Sequence, residues 1–191
     1  MDARIEDVYT VHPEFKSARM ERLGNLKIPK FQELVEEAKD LEAGLQAPFS
    51  VRIHGDFNMD NLMYDPVDKK LHYIDLYRSS VSDYLQDVSV FLVSAFRTPV
   101  FDKNLRLRLN WTAAEFYEFA KSFAEEQGDE TFEARLALGL SRSLITSTRF
   151  EFNEEFARVM YLRAVYLLEK FIGHNGKPWK EFKLPEEALV Y

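Results

Sequence analysis

Apolar residues return at helical spacing along most of the chain. From Lys30 to Gln46, Phe31, Leu34, Val35, Ala38, Leu41 and Leu45 share one stripe, and Glu33, Glu36, Glu37, Lys39 and Asp40 take the other side, which predicts an amphipathic helix. Asp83 is placed to cap a second helix, in which Tyr84, Leu85, Val88, Phe91, Leu92 and Ala95 keep the period until Thr98-Pro99 stops it. Thr112-Ala113-Ala114-Glu115 has the form of a capping box and opens a third, with Phe116, Phe119, Ala120 and Phe123 as its core-facing stripe and Gly128 beyond its end. Two more helices are expected: over 130–146 through Phe132, Leu136, Leu140 and Leu144, and from Asn153 to Ile172 through Phe156, Val159, Met160, Leu167 and Phe171, with Gly173 as the stop.

The extended segments are few and short. Val8 to Val11 suits a short strand, and the first thirty residues otherwise carry no period. Phe49-Ser50-Val51-Arg52-Ile53 alternates with β-branched residues and delivers the chain into His54. Asn61-Leu62-Met63-Tyr64 and Leu71-His72-Tyr73-Ile74 read as two strands joined by a turn that starts at Asp65-Pro66. The tail around Trp179 reads as a docking extension. The expected architecture is α+β and mainly helical, one domain over 1–191, with a small β-hairpin set in after the first long helix.

Composition narrows the partners. With 46% hydrophobic residues the chain can bury a core, so disorder is excluded for the whole. A net charge of −7 without a Lys/Arg cluster argues against a nucleic-acid groove. No apolar run reaches membrane-spanning length, the start is too acidic for a signal peptide, and the chain has no Cys, which together fit a cytoplasmic protein.

The concentrated chemistry lies in His54-Gly55-Asp56-Phe57-Asn58-Met59-Asp60-Asn61 and in Asp75 beyond the hairpin. Asp56 follows a strand, where a carboxylate can be exposed yet positioned as a base or as an orienter of a hydroxyl. Antiparallel pairing sets Asn61, at the start of one strand, beside Asp75, at the end of the other, so two oxygen ligands for one cation converge. Such an arrangement suits phosphoryl transfer, in which one carboxylate faces the acceptor hydroxyl while an amide oxygen and a second carboxylate hold Mg²⁺. A metal-hydrolase set of His54, Asp56 and Asp60 has suitable ligand types but no second His cluster to complete it. Arg52 and Arg78 flank the stretch and are either phosphate contacts or solvated strand-edge residues. His72 reads as a sheet residue, and His12 and His174 receive no role.

The segment from Ile53 to about Phe91 resembles the core of the aminoglycoside phosphotransferase and choline kinase group, relatives of the protein kinases, whose catalytic loop reads His-x-Asp-x-x-x-x-Asn and whose next hairpin ends in a metal-binding Asp. The helical remainder resembles the C-terminal lobe of that fold. The resemblance implies Asp56 as catalytic base, His54 as an organiser of the loop, Asn61 and Asp75 as ligands of the Mg²⁺ that accompanies ATP, and Asp87 as a support that hydrogen-bonds the loop backbone. The sequence departs from many relatives at Asn58, at Met59-Asp60 and at Leu76-Tyr77-Arg78. Before His54, Gly24 and Gly44 stand outside any Gly-rich strand-turn-strand context, so the chain is expected to be a C-terminal lobe without the nucleotide-covering lobe.

Two functions are then open. One is an ATP-dependent phosphotransferase acting on a hydroxyl of a small molecule; the other is a catalytically incomplete kinase-like lobe that serves as a binding or regulatory module. In either case the face where an N-terminal lobe would sit is expected to expose apolar surface and to favour docking or self-association. Tyr77, Glu151 and Tyr161 are candidates to line the acceptor cleft, and the overall acidity leans towards cationic acceptors.

Overall fold

The computed structural model describes residues 2–16, 22–23, 26–27, 29–100 and 102–189. The helices are α1 (Asp2–Val11), α2 (Phe31–Glu42), α3 (Leu85–Arg97), α4 (Lys103–Glu126), α5 (Phe132–Ser147) and α6 (Glu154–Ile172). The strands are β1 (Arg22–Leu23), β2 (Leu26–Lys27), β3 (Val51–Ile53), β4 (Leu62–Asp65), β5 (Lys70–Tyr73) and β6 (Ser80–Ser82), paired as three separate two-stranded antiparallel ribbons. The architecture is mainly helical with little sheet.

The core lies where α5 packs between α3 and α6, with α2 against α6 and α4 against α3. Four of the helices bury most of the stripe that their period sets out: Leu34, Val35 and Ala38 from α2, Val88 and Leu92 from α3, Leu136, Leu140 and Leu144 from α5, Met160, Leu167 and Phe171 from α6. Asn153 caps α6 through the Phe156 N–H and Asp102 caps α4 through the Leu105 N–H. The C-terminal tail docks as expected, with the Trp179 ring stacked 4.7 Å from that of Phe171 and with Phe182 and Leu184 buried.

Three expectations are corrected. Val8 to Val11 is the end of a helix, because Ile5 and Val8 lie one turn apart and bury together while Glu6 and Asp7 stay exposed. Helix α4 begins at Lys103, and Thr112 lies in its interior with its hydroxyl donating to the Arg108 carbonyl. That first half escapes a search for apolar periodicity because Leu105, Leu107 and Trp111 all face solvent. Phe119 and Val159, expected in core stripes, are exposed as well.

Ribbon β3/β6 pairs Arg52 with Val81, which brings the chain after β5 back beside the strand that feeds the His54 loop. Ribbon β4/β5 pairs Leu62 with Tyr73 and turns at Asp65, whose carboxylate accepts the Val67 and Asp68 N–H groups. Met63, Tyr64, Leu71, Tyr73, Leu76 and Tyr77 are all exposed on or just after this hairpin. Among the described residues no helix is long and apolar enough to cross a membrane.

Candidate functional site

The loop from His54 to Asn61 is pinned at both ends. At its start, the two carboxylate oxygens of Asp87, in the first turn of α3, accept the His54 N–H at 2.6 Å and the Gly55 N–H at 2.9 Å. A buried His54 ring then spans the loop: Nε2 donates to the Ile74 carbonyl at 2.9 Å, which leaves Nδ1 as the acceptor of the Asp56 N–H. At its end, Asn58 caps the Met59–Asn61 turn through the Asn61 N–H, and the Ser94 hydroxyl accepts the Met59 N–H. Phe57 fills the inside of the loop, with its ring centroid 5.6 Å from that of Phe91 on α3 and 6.0 Å from that of Phe116 on α4.

Gly55 has φ +84, and a Cβ there would lie 2.3 Å from the Arg78 carbonyl oxygen. The chain crosses itself at this point, and the crossing delivers the Arg78 side chain to Asp56. The Asp56 carboxylate takes one hydrogen bond on each oxygen, from Asn58 Nδ2 at 3.3 Å and from Arg78 Nη1 at 3.1 Å. It remains partly open to solvent, and each oxygen keeps acceptor capacity for a further donor.

Asn61 is nearly buried, and its Nδ2 is spent on the Asp56 carbonyl at 2.8 Å. That orientation leaves Oδ1 without a partner among the described residues. The Asn61 carbonyl in turn accepts the Ile74 N–H at 3.1 Å, so the residue before Asp75 is tied to Asn61 through the backbone. Asp75 is exposed and sits at φ 59, ψ 49, a left-handed conformation that Asp tolerates better than most side chains. Among the described residues no three His, Asp or Glu side chains gather as a metal cluster, so the triad of His54, Asp56 and Asp60 does not form one.

A cavity of about 640 Å³ opens beside Asp56, lined among others by Gly55, Asn58, Asp60 and Arg78 and by Arg97, Arg149 and Phe150. Neither Asn61 nor Asp75 lines it. Of the cleft candidates from the sequence, Tyr161 is instead sandwiched with Phe15 and Phe31 inside the fold, Tyr77 is exposed beyond the hairpin, and Glu151 lines a separate cavity of about 480 Å³ on the far side of Arg97. His12, given no role from the sequence, is buried, with Nε2 3.0 Å from the Thr148 carbonyl and 2.8 Å from that of Glu151. It therefore holds the turn that carries Arg149 and Phe150 into the cavity.

Gly55 and Asn58 lie in the stretch singled out from the sequence but without the roles they take here, and Ser94 was not singled out. Asn58 had a signal, since an Asn directly before a three-residue turn is a preferred cap. Ser94 had none, because it reaches the loop only through the packing of α3.

The model of the phosphotransferase enzyme family, APH, matches residues 4–135, a span that takes in α1, the His54 loop, the hairpin, α3 and α4. The chain belongs to that family, which bears out the resemblance to aminoglycoside phosphotransferases and choline kinases. Searches of curated proteins and of solved structures found no match.

Proposed function

We propose that this chain is the catalytic part of an ATP-dependent phosphotransferase that acts on a hydroxyl of a small molecule, with a kinase-like C-terminal lobe as its framework. The observation that carries the proposal is the Asp56 carboxylate, fixed by Asn58 and Arg78 at the mouth of a cavity large enough for a metabolite. In the reaction the acceptor oxygen forms the new P–O bond to the γ-phosphorus of ATP, ADP leaves, and Asp56 takes the hydroxyl proton. His54 acts through the loop: it fixes the Asp56 backbone and touches no reactant. Most of the acceleration comes from holding the hydroxyl and the phosphates in line, which is the general pattern of phosphoryl transfer.

Asn61 and Asp75 fit a magnesium site by their chemistry. The Asn61 amide oxygen is left free by the anchoring of its nitrogen, and the Asp75 carboxylate is exposed beyond it. Mg²⁺ is commonly held by one or two protein oxygens, with phosphate and water oxygens completing its shell. Bound there, the cation would neutralise charge on the nucleotide phosphates. The apolar outer residues of the hairpin support a nucleotide-covering part seated over it.

The test is acceptor-dependent ADP release with Mg²⁺ and ATP across a panel of hydroxyl metabolites, compared with Asp56→Asn. The substitution is expected to lower turnover by at least about a hundredfold, as for loss of a general base, and to leave the melting temperature in place. Unchanged turnover in Asp56→Asn would remove Asp56 from the mechanism.

A further inference from the structure

We propose that the acceptor of this phosphotransferase carries an anionic group, a phosphate or a carboxylate, which binds at Arg97 and Arg149 in the cavity that Asp56 also lines. The word acceptor rests on the function proposed above; the anion site itself does not.

The overall charge of −7 points the other way, yet the cavity is locally cationic. Its acids are mostly neutralised in place. Asp56 is paired with Arg78, Asp83 with Arg135, and Glu42 with Arg142. Arg4, Arg97 and Arg149 also line it, with Asp60 as the remaining acid on the wall.

Arg97 and Arg149 converge on one ring. Their guanidinium carbons lie 5.9 Å and 4.2 Å from the centroid of Phe150, a largely exposed ring. Arg97 comes from the last turn of α3 and Arg149 from the turn after α5, and the buried His12 fixes that turn. Arg149 donates to the Thr146 carbonyl, and Arg97 Nε is buried without a hydrogen-bond partner among the described residues.

The charges of the pair are only partly offset. Burial pulls the Arg149 guanidinium down from its usual pKa, and the like charges of Arg4, Arg78 and Arg97 pull the same way against Asp7. Burial also pulls Arg97 down, with Glu151 and Asp60 opposing. A guanidinium keeps its proton, so the desolvated positive charge that remains favours an anionic ligand. Planar forked donors suit carboxylate and phosphate oxygens, and a partly water-excluded cavity strengthens such contacts. Asn61 and Asp75 do not line the cavity, which favours the acceptor over the nucleotide as the source of its anion.

The experiment is calorimetric titration of the chain with sn-glycerol 3-phosphate, with glycerol as the uncharged control and choline as the cationic one. sn-Glycerol 3-phosphate is expected to bind saturably and at least about tenfold tighter than either control, and Arg97→Gln and Arg149→Gln are each expected to weaken it by about tenfold or more. Saturating Mg-ADP should leave that binding in place, and Asp56→Asn, which frees the charge of Arg78, should not weaken it. Melting curves establish that each variant is folded; Arg149→Gln, which removes a less buried side chain, carries the test if Arg97→Gln does not fold. Absence of saturable binding, equal or tighter binding of glycerol or choline, or indifference to both arginine substitutions would overturn the proposal. Displacement by Mg-ADP would overturn it too, by assigning the cations to the nucleotide. Anion binding that survives alongside undiminished turnover in Asp56→Asn would sink the catalytic proposal and spare this one.

Discussion

The Gly55 backbone passes under the Arg78 carbonyl so closely that a methyl group at position 55 would lie 2.3 Å from that oxygen. Backbone atoms are on both sides of the contact, so no flexible side chain can yield. Gly55→Ala therefore combines this clash with a left-handed φ, and the conformational strain alone is worth about 1–3 kcal/mol. A urea titration is expected to show at least that loss. If the structure survives, separation of Arg78 from Asp56 should also reduce turnover. Stability equal to that of the parent protein would mean that the crossing has room for a Cβ at position 55.

Asp87 offers a sharper test of the loop, because its two oxygens hold two successive backbone N–H groups. In Asp87→Asn one oxygen becomes an NH₂ that faces a donor, and the charge that strengthens both bonds is lost. Hydrogen bonds to a charged group contribute about 1.5–3 kcal/mol each, so a loss of that size is expected in chemical denaturation. Amide exchange at His54 and Gly55 should accelerate with it. An Asn variant with parent-like exchange at both amides would show that Asp87 does not organise the loop.

The tie between the loop from His54 to Asn61 and the hairpin that follows it was legible in the sequence because its parts are close along the chain. Asp56 and Asn61 belong to one loop, and a single hairpin carries Asp75 back to it. Helix faces were legible for the same local reason wherever a stripe is buried. What failed was the case in which burial and period part company: the first half of α4 points its large apolar residues at solvent, and α1 buries Ile5 and Val8 of a short polar segment. The cationic lining of the cavity had no sequence signal, since Arg4, Arg97 and Arg149 come from three distant elements and meet only through α1 packing beside α5 and the turn after it. The same tertiary packing turned His12 from an unassigned residue into the support of that turn.

Arg135 binds two carboxylates at the junction of α3 and α5. It is buried, it pairs with Asp83 and with the fully buried Asp129, and Asp129 also accepts the Tyr84 hydroxyl at 2.7 Å. Burial pulls the guanidinium down, but the bonds to the two acids outweigh it and raise its pKa overall. Arg135→Met leaves Asp129 charged and buried, and breaking a buried pair from one side costs about 3–5 kcal/mol. Adding Asp129→Asn removes the stranded charge while keeping an acceptor for Tyr84, so the double variant should recover at least half of that loss. A double variant no more stable than the single one would show that the loss came from packing rather than from the charge.

Tyr161 gives the fold a dependence on alkaline pH. Its ring stacks 4.3 Å from that of Phe15, and burial, aided by the field of Tyr9, pushes its pKa up to about 12 from an ordinary 10.0. Tyr84 moves in the same direction through burial and its bond to Asp129. A folded pKa above the unfolded one means that the fold favours the neutral phenol, so the contribution is complete below the unfolded value and is lost as pH rises from about 10 towards 12. Tyr161→Phe cannot ionise and makes nearly the same ring contacts. Its urea midpoint should match the parent at about pH 8 and fall less steeply above about pH 10. Parallel curves for the two proteins across that limb would mean that the Tyr161 phenol titrates as freely in the folded state as in the unfolded chain.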